Sequence, residues 1–163
     1  MSADYPGTVE QVFLAFADER YWLDRLAESG ADEATLDSMD VDTGGDIAVV
    51  TTQVLYSNRL PGIVTQFHRG ELRIVRRERW TAPSGERATA RVSGNIPGAP
   101  VELDGDAVLA PGNPSGARLS LQGSVEVRVP LVGGKIEDFI RGQLSNLLVA
   151  EQGFTTQWLA NNR

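Results

Sequence analysis

The sequence contains no cysteine, one histidine and one lysine among its 163 residues. The absence of cysteine excludes a disulfide framework, thiolate zinc ligation and thiol catalysis. Apolar runs such as 147–150 are far shorter than the roughly 20 residues that a membrane-spanning helix needs. The N-terminus has no basic residue followed by an apolar run, so we expect no signal peptide. We therefore expect a soluble, cytoplasmic protein that forms a single domain over residues 1–163.

The formal net charge is −7, and the charges are unevenly distributed along the chain. Acidic residues dominate the first 46 positions, whereas residues 59–91 contain eight arginines. An acidic chain repels nucleic acid, and basic side chains that alternate along strands are typical of a solvated sheet face. We therefore expect no nucleic-acid partner.

Helical patterns occupy both ends of the chain. Thr8 and Gln11 have the spacing of a capping box, which predicts that a helix starts there. Asp18 is a candidate N-cap for a second short helix. Near the C-terminus, a wide apolar stripe without proline predicts a helix over residues 135–160, about 39 Å long.

Between these helices the apolar residues recur at every second position, which predicts β-strands. Because one face of each strand is apolar and the other polar, the sheet is expected to be antiparallel. The six predicted strands cover residues 34–42, 46–57, 71–80, 88–93, 101–109 and 117–129.

Small residues on the predicted apolar faces leave space beneath a covering helix. Native interiors are close-packed, so unfilled volume in the core favours a ligand cavity. The small residues are Ala88, Ala90, Gly105, Ala107 and Gly123.

An apolar segment over residues 58–70 interrupts the strands. Ile63, Val64 and Phe67 stand at helical spacing, which predicts a short helix or an ordered apolar insertion. A lid on the surface and a buried plug are both open interpretations.

The order of two short helices, six strands and a long C-terminal helix resembles the START-like, helix-grip superfamily (SRPBCC), which includes polyketide cyclase/dehydratase-like proteins. The segment 129–137, with Glu151 and Trp158, more specifically resembles a bacterial family of unknown function within it. The resemblance implies an α+β fold, in which a curved antiparallel sheet of six or seven strands wraps around the C-terminal helix. It also implies a cavity that holds an apolar ligand. Members usually begin with a strand, and only residues 1–5 are available for it, so that strand is expected to be short or missing.

Glu151 is a candidate for an inward-facing carboxylate because it stands near the apolar stripe of the last helix. It could fix a ligand hydroxyl or amine, or pair with an arginine across the sheet; alternatively, it sits at the flank of the stripe and reaches water. Without a partner, its pKa would be raised by the apolar surroundings. Arg76 and Glu78 share a strand face with Trp80, so an inward polar pair and a solvated face are both open.

We predict eight ligand-binding residues, whose aromatic members form either pocket wall or core. We assign no catalytic residue, metal ligand or cofactor, because His68 is the only histidine and no acidic cluster at ligand spacing accompanies it. The predicted residues are Arg76, Glu78, Trp80, Phe139, Leu144, Leu147, Glu151 and Phe154.

The expected function is binding or carrying a small hydrophobic or amphipathic molecule, such as a lipid or a polyketide-like compound. One alternative is a cyclase or dehydratase that uses Glu151 or Glu78 as an acid or base. Another is a protein-interaction module that uses the 59–70 insertion as an exposed apolar patch.

Overall fold

The protein folds as a curled, seven-stranded antiparallel sheet with a long helix on its inner side, in a computed structural model that describes residues 1–112 and 114–162. The predicted α+β class is confirmed. The elements in chain order are β1 (Ser2–Tyr5), α1 (Val9–Phe16), α2 (Glu19–Ala27), β2 (Glu33–Val41), β3 (Ile47–Leu55), a 3-10 turn (Ser57–Arg59), α3 (Gly62–Thr65), β4 (Leu72–Trp80), β5 (Ala88–Asn95), β6 (Val101–Pro111), β7 (Ala117–Val127) and α4 (Gly133–Asn161).

The strand order β1-β7-β6-β5-β4-β3-β2 places the first two strands at opposite edges of the sheet. The connection between them is the pair of short helices. Helix α1 contacts β6, β7 and α4, while α2 contacts β2 and α4. The two helices therefore carry the chain from one edge of the sheet to the other and cover part of the core.

The N-terminal strand is short but formed. It pairs with β7 from Ser2 opposite Ser120 to Tyr5 opposite Ala117. The terminal ammonium of Met1 extends the pairing by donating to the carbonyl oxygen of Leu121 at 2.9 Å. Residues 1–5 thus supply the strand whose presence the sequence left undecided.

Local capping explains where the short helices begin. The hydroxyl of Thr8 accepts a hydrogen bond from the Gln11 amide at 3.2 Å, and the Gln11 side chain accepts one from the Thr8 amide at 2.9 Å. Asp18 accepts a hydrogen bond from the Arg20 amide at 2.9 Å. Both predicted N-caps are therefore confirmed, and each satisfies N–H groups that the helix itself leaves free.

Glycines allow the backbones of β6 and β7 to approach each other closely. Gly105 and Gly123 stand directly opposite each other in the two strands. A Cβ at Gly105 would lie 2.7 Å from the carbonyl oxygen of Gln122, and one at Gly123 would lie 3.0 Å from that of Asp104. Side chains at these positions would force the two backbones apart, so this close pairing depends on glycine.

The apolar insertion packs as part of the core rather than standing free. Val64, in α3, is buried, while Leu60 and Ile63 pack partly buried against a neighbouring cluster of apolar residues. Phe67 is 51% exposed. Most of the apolar side chains named here are therefore already covered by the chain itself.

Two apolar clusters fill opposite ends of the space between the sheet and α4. One contains the aromatic residues of α1 and α2 together with Trp80 and Leu159. The other contains Ile136 and Ile140 at the start of α4. Between these ends, residues 141–150 of α4 include no fully buried side chain. None of the helices in residues 1–112 and 114–162 is both long and apolar enough to cross a membrane.

Candidate ligand cavity

A cavity of about 490 Å³ occupies the space between the two apolar clusters, under the middle of α4. Its volume lies within the range of ordinary small-molecule sites. Strands β5 to β7 contribute a mainly apolar wall, and α4 covers it with leucines. The apolar residues of this wall and cover are Val92, Leu103, Ala107, Leu119, Leu121, Val125, Leu144, Leu147 and Leu148.

Four charged side chains form the opposite end of the cavity, and we call them the charge cluster: Arg25 from α2, Arg76 and Glu78 from β4, and Glu151 from α4. One carboxylate oxygen of Glu151 lies 2.9 Å from Nη2 of Arg25 and 2.7 Å from Nη2 of Arg76. One carboxylate oxygen of Glu78 lies 3.5 Å from Arg25 Nη2 and 3.2 Å from Arg76 Nε. Each carboxylate therefore faces both arginines.

The four side chains are only 8% to 13% exposed, so water screens these charge–charge contacts little. Burial alone would raise the pKa of Glu151, but Arg25 and Arg76 outweigh it, and the pKa lies below the ordinary value of 4.5. Burial would likewise lower the pKa of Arg25, but Glu151, Tyr21 and Glu78 outweigh it and raise that pKa. The raised pKa expected for an unpaired Glu151 therefore does not occur, because the carboxylate is paired.

Buried aromatic residues hold the charge cluster in place. Trp80 Nε1 donates to the second carboxylate oxygen of Glu78 at 3.1 Å, and the guanidinium of Arg25 stacks over the Trp22 ring at 4.5 Å. Tyr21 shares a hydrogen bond of 2.7 Å with the hydroxyl of Thr155, and burial raises the pKa of its phenol. The positions of α2, β4 and α4 are thus fixed relative to one another around the charged groups.

Two polar groups at this end of the cavity lack a hydrogen-bond partner among the described residues. Gln53, on β3 opposite Ile74, is 7% exposed and lines the cavity, and its side-chain amide makes no hydrogen bond to another described residue. Arg76 Nε is buried without a hydrogen-bond partner in the described chain, because its 3.2 Å contact with Glu78 lacks hydrogen-bond alignment. The Gln53 amide is therefore available to a bound molecule, whereas Arg76 Nε is enclosed by protein and contacts only the Glu78 carboxylate.

The structure brings together six of the eight residues that the sequence indicated. Phe139 and Phe154 do not line the cavity: Phe139 packs against the apolar cluster at the start of α4, and Phe154 packs against the one at its end. Trp80 both lines the cavity and belongs to the core. The six cavity-lining residues are Arg76, Glu78, Trp80, Leu144, Leu147 and Glu151.

The sequence interpretation missed Arg25, Tyr21 and Gln53. For Arg25 and Tyr21 the signal was their spacing, because residues four apart on a helix share a face, here the one that also carries Trp22. For Gln53 the signal was the alternation of β3, which places it on the same face as Val49. A charged or amide group on an otherwise apolar face indicates an inward-facing polar site.

The small residues noted in the sequence divide between two roles. Gly105 and Gly123 line the cavity, Ala88 and Ala90 lie in the packed core, and Ala107 belongs to both.

No site for a metal ion stands out in the part of the chain that the structure describes: no three His, Cys, Asp or Glu side chains come together there. The Nε2 atom of His68 lies 2.9 Å from the carbonyl oxygen of Glu71. The histidine is thus engaged by its own loop, away from the cavity lining.

Comparison with known proteins gives relatives of unknown function. Residues 1–159 match a family described as "Protein of unknown function (DUF2505)". The uncharacterized proteins Rv0481c of Mycobacterium tuberculosis and Mb0491c of Mycobacterium bovis are 50% identical to the chain over 167 residues, which cover 99% of the chain and 96% of each relative.

Solved structures with a similar fold come from other bacteria. TTHA0849 from Thermus thermophilus has a TM-score of 0.61 at 15% identity, covering 100% of this chain and 97% of its own. A conserved protein from Geobacillus kaustophilus has a TM-score of 0.56 at 14% identity, covering 98% and 93%. At such identities the similarity concerns the fold alone.

Proposed function

The chain belongs to the DUF2505 family of proteins of unknown function, and we propose that it binds a small hydrophobic or amphipathic molecule in the cavity between the sheet and α4. The cavity itself is the observation that carries this proposal. It has a volume of about 490 Å³ and lies between two packed apolar clusters. A cavity of this size that is open to solvent on one side and lined mainly by apolar side chains is typical of small-molecule binding sites.

The distribution of polarity in the cavity supports an amphipathic occupant. Strands β5 to β7 and α4 offer apolar surface, whose burial against a ligand contributes about 25 cal/mol per Å² as an upper-end guide. The charge cluster and Gln53 stand at the other end. We propose that Arg76, Glu78, Trp80, Leu144, Leu147 and Glu151 belong to the binding site, with the polar groups orienting the ligand.

The arrangement of a curled sheet around a long helix also supports membership of the START-like, helix-grip superfamily, which we propose as the wider group of this family. We therefore propose a lipid or a polyketide-like compound as the class of ligand. The fold by itself assigns no reaction.

Binding is favoured over catalysis by the state of Glu151. A cyclase or dehydratase would need a cavity group that exchanges a proton near neutral pH. The carboxylates of Glu78 and Glu151 both face Arg25 and Arg76. These arginines outweigh the effect of burial and lower the pKa of Glu151. The carboxylate is therefore held ionised as a structural acceptor. The interaction-module alternative is disfavoured because the insertion is largely packed and presents chiefly Phe67.

The first test is native mass spectrometry of the purified protein, followed by denaturing extraction and identification of any released molecule. A stoichiometric lipid or apolar metabolite would support the proposal. An empty protein would then be titrated with an apolar fluorescent probe, and failure of the probe to bind as well would overturn it.

A matched pair of variants on α4 locates the binding. Leu147→Trp fills part of the cavity that Leu147 lines and should weaken probe binding at least about tenfold, because the added ring occupies the ligand's space. Val149→Trp adds the same ring at a position that is 62% exposed, so the affinity should not change. Equal effects of both substitutions would contradict binding in the cavity.

A further inference from the structure

The charges that face the cavity are balanced. The charge cluster contains two arginines and two glutamates, so its formal charge is zero. Three other charged groups belong to residues that border the cavity: the terminal ammonium of Met1, which donates to the carbonyl oxygen of Leu121 at 2.9 Å, and the side chains of Asp104 and Arg141, which pair elsewhere. Asp104 binds Arg91 at 2.6 Å, with both side chains more than half exposed, and Arg141 binds Asp138 at 2.9 Å on the helix surface. Within the charge cluster each ionised side chain therefore already faces opposite charges, so a charged ligand head placed beside the cluster would find no counter-ion free there.

The unsatisfied side chain at the same end, that of Gln53, is suited to an uncharged partner. The side-chain amide of Gln53 offers both N–H donors and a carbonyl acceptor. Gln53 is 7% exposed overall and lines the cavity, so the polar head of a ligand in the cavity could supply the hydrogen bonds that its amide does not make to the described residues.

We propose that the cavity selects amphipathic molecules whose polar end is uncharged and both donates and accepts hydrogen bonds, as in an alcohol or a primary amide. This inference rests on the proposed binding function and names the class of ligand. A carboxylate or an ammonium group on the same apolar chain would disturb the balanced cluster and would lose water without gaining an opposite charge.

Affinities for a matched decyl series test this selection with the unaltered protein. Decanol, decanamide, decanoate and decylammonium have similar apolar chains and differ in their polar ends. At neutral pH we expect decanol and decanamide to bind about tenfold or more tightly than both ions, since burying an uncompensated ion costs well over the 1.4 kcal/mol that corresponds to a factor of ten.

Charge variants make the same inference more specific. Glu151→Gln gives the cluster a net positive charge and should shift the preference toward decanoate. Arg76→Gln gives it a net negative charge and should shift the preference toward decylammonium. The matched controls are Glu126→Gln, at a side chain that is 63% exposed, and Arg77→Gln, on the outer face of β4 beside Arg76. Both controls should retain the preference for the uncharged heads.

Gln53→Leu tests the amide separately. It keeps the approximate size of the side chain and removes one neutral donor–acceptor group, so decanol should bind about threefold to tenfold more weakly. The affinity for an apolar probe without a polar head should not fall. A fall of equal size for both molecules would assign Gln53 a structural role and would contradict its proposed contact with the polar head.

The outcomes distinguish this inference from the proposed function. If decanoate or decylammonium binds the unaltered protein as tightly as decanol, the proposed selectivity is wrong while ligand binding stands. If no member of the series and no apolar probe binds, both proposals fall. Should the variants fail to fold, the series on the unaltered protein still decides.

Discussion

Glu151→Gln tests whether the charge cluster stabilises the fold as well as facing the cavity. The substitution preserves the shape of the side chain and removes its charge. It leaves Arg25 and Arg76, 8% and 12% exposed, with only Glu78 to balance them. We expect the free energy of unfolding at neutral pH to fall by about 3 kcal/mol, at the lower end for a broken buried ion pair.

The magnitude follows from two opposing terms. At an effective dielectric constant of about 20, each arginine contact of roughly 3 Å contributes about 5 to 6 kcal/mol of gross attraction. Much of this is offset because the neutral glutamine is cheaper to bury than the carboxylate. The glutamine oxygen also still accepts one hydrogen bond, which keeps the net loss well below the gross attraction.

Urea unfolding followed by tryptophan fluorescence measures the change, with Glu126→Gln as the surface control. A double substitution of Glu151→Gln with Arg76→Gln restores the balance of charge, so it should cost about 2 kcal/mol less than the sum of the single changes. A Glu151→Gln variant within about 1 kcal/mol of the unaltered protein, or fully additive changes, would refute the reasoning.

The pH dependence supplies a second check on the same carboxylate. The pKa of Glu151 lies below its ordinary value of 4.5 in the folded protein, because Arg25 and Arg76 outweigh burial. Its contribution to stability is therefore complete above about pH 4.5 and is lost as the pH falls through the lower, folded-state value. The stability difference between the unaltered protein and Glu151→Gln should shrink over that acid range, and a constant difference would contradict the pairing.

Two further predictions concern the close pairing of β6 with β7 and the aromatic support of the cluster. Gly105→Ala should destabilise the fold by about 2 kcal/mol, because the new Cβ would lie 2.7 Å from the Gln122 carbonyl oxygen. Gly142→Ala should instead stabilise α4 by up to about 1 kcal/mol, because its Cβ would meet no described atom within 4 Å. Thermal melting measures both, and equal effects would contradict the role given to the strand glycine. Tyr21→Phe should cost about 1 kcal/mol by removing the 2.7 Å hydrogen bond to Thr155, and an unchanged urea midpoint would show that this bond does not hold α2 to α4.

The amino-acid sequence by itself determined the local structure of this protein. Thr8, Gln11 and Asp18 specify helix starts through short-range hydrogen bonds, and the alternation along residues 71–80 and 117–129 specifies which side chains share a face. These signals depend on neighbours within a few positions, so they can be read without knowing the fold. The period of the last helix likewise indicated a long element that covers the sheet.

Only the tertiary structure decided which way the polar side chains point and what they meet. Alternation alone puts Arg76 and Glu78 on one face of β4. The partners that stabilise them on the inner side are Arg25 of α2 and Glu151 of α4. Arg25 precedes Arg76 by 51 residues, and Glu151 follows it by 75. An ion pair between distant segments leaves no periodic pattern, and a one-residue shift of β4 would turn both side chains toward water. The charge cluster and the cavity beside it therefore exist only because the curl of the sheet brings α2, β4 and α4 together.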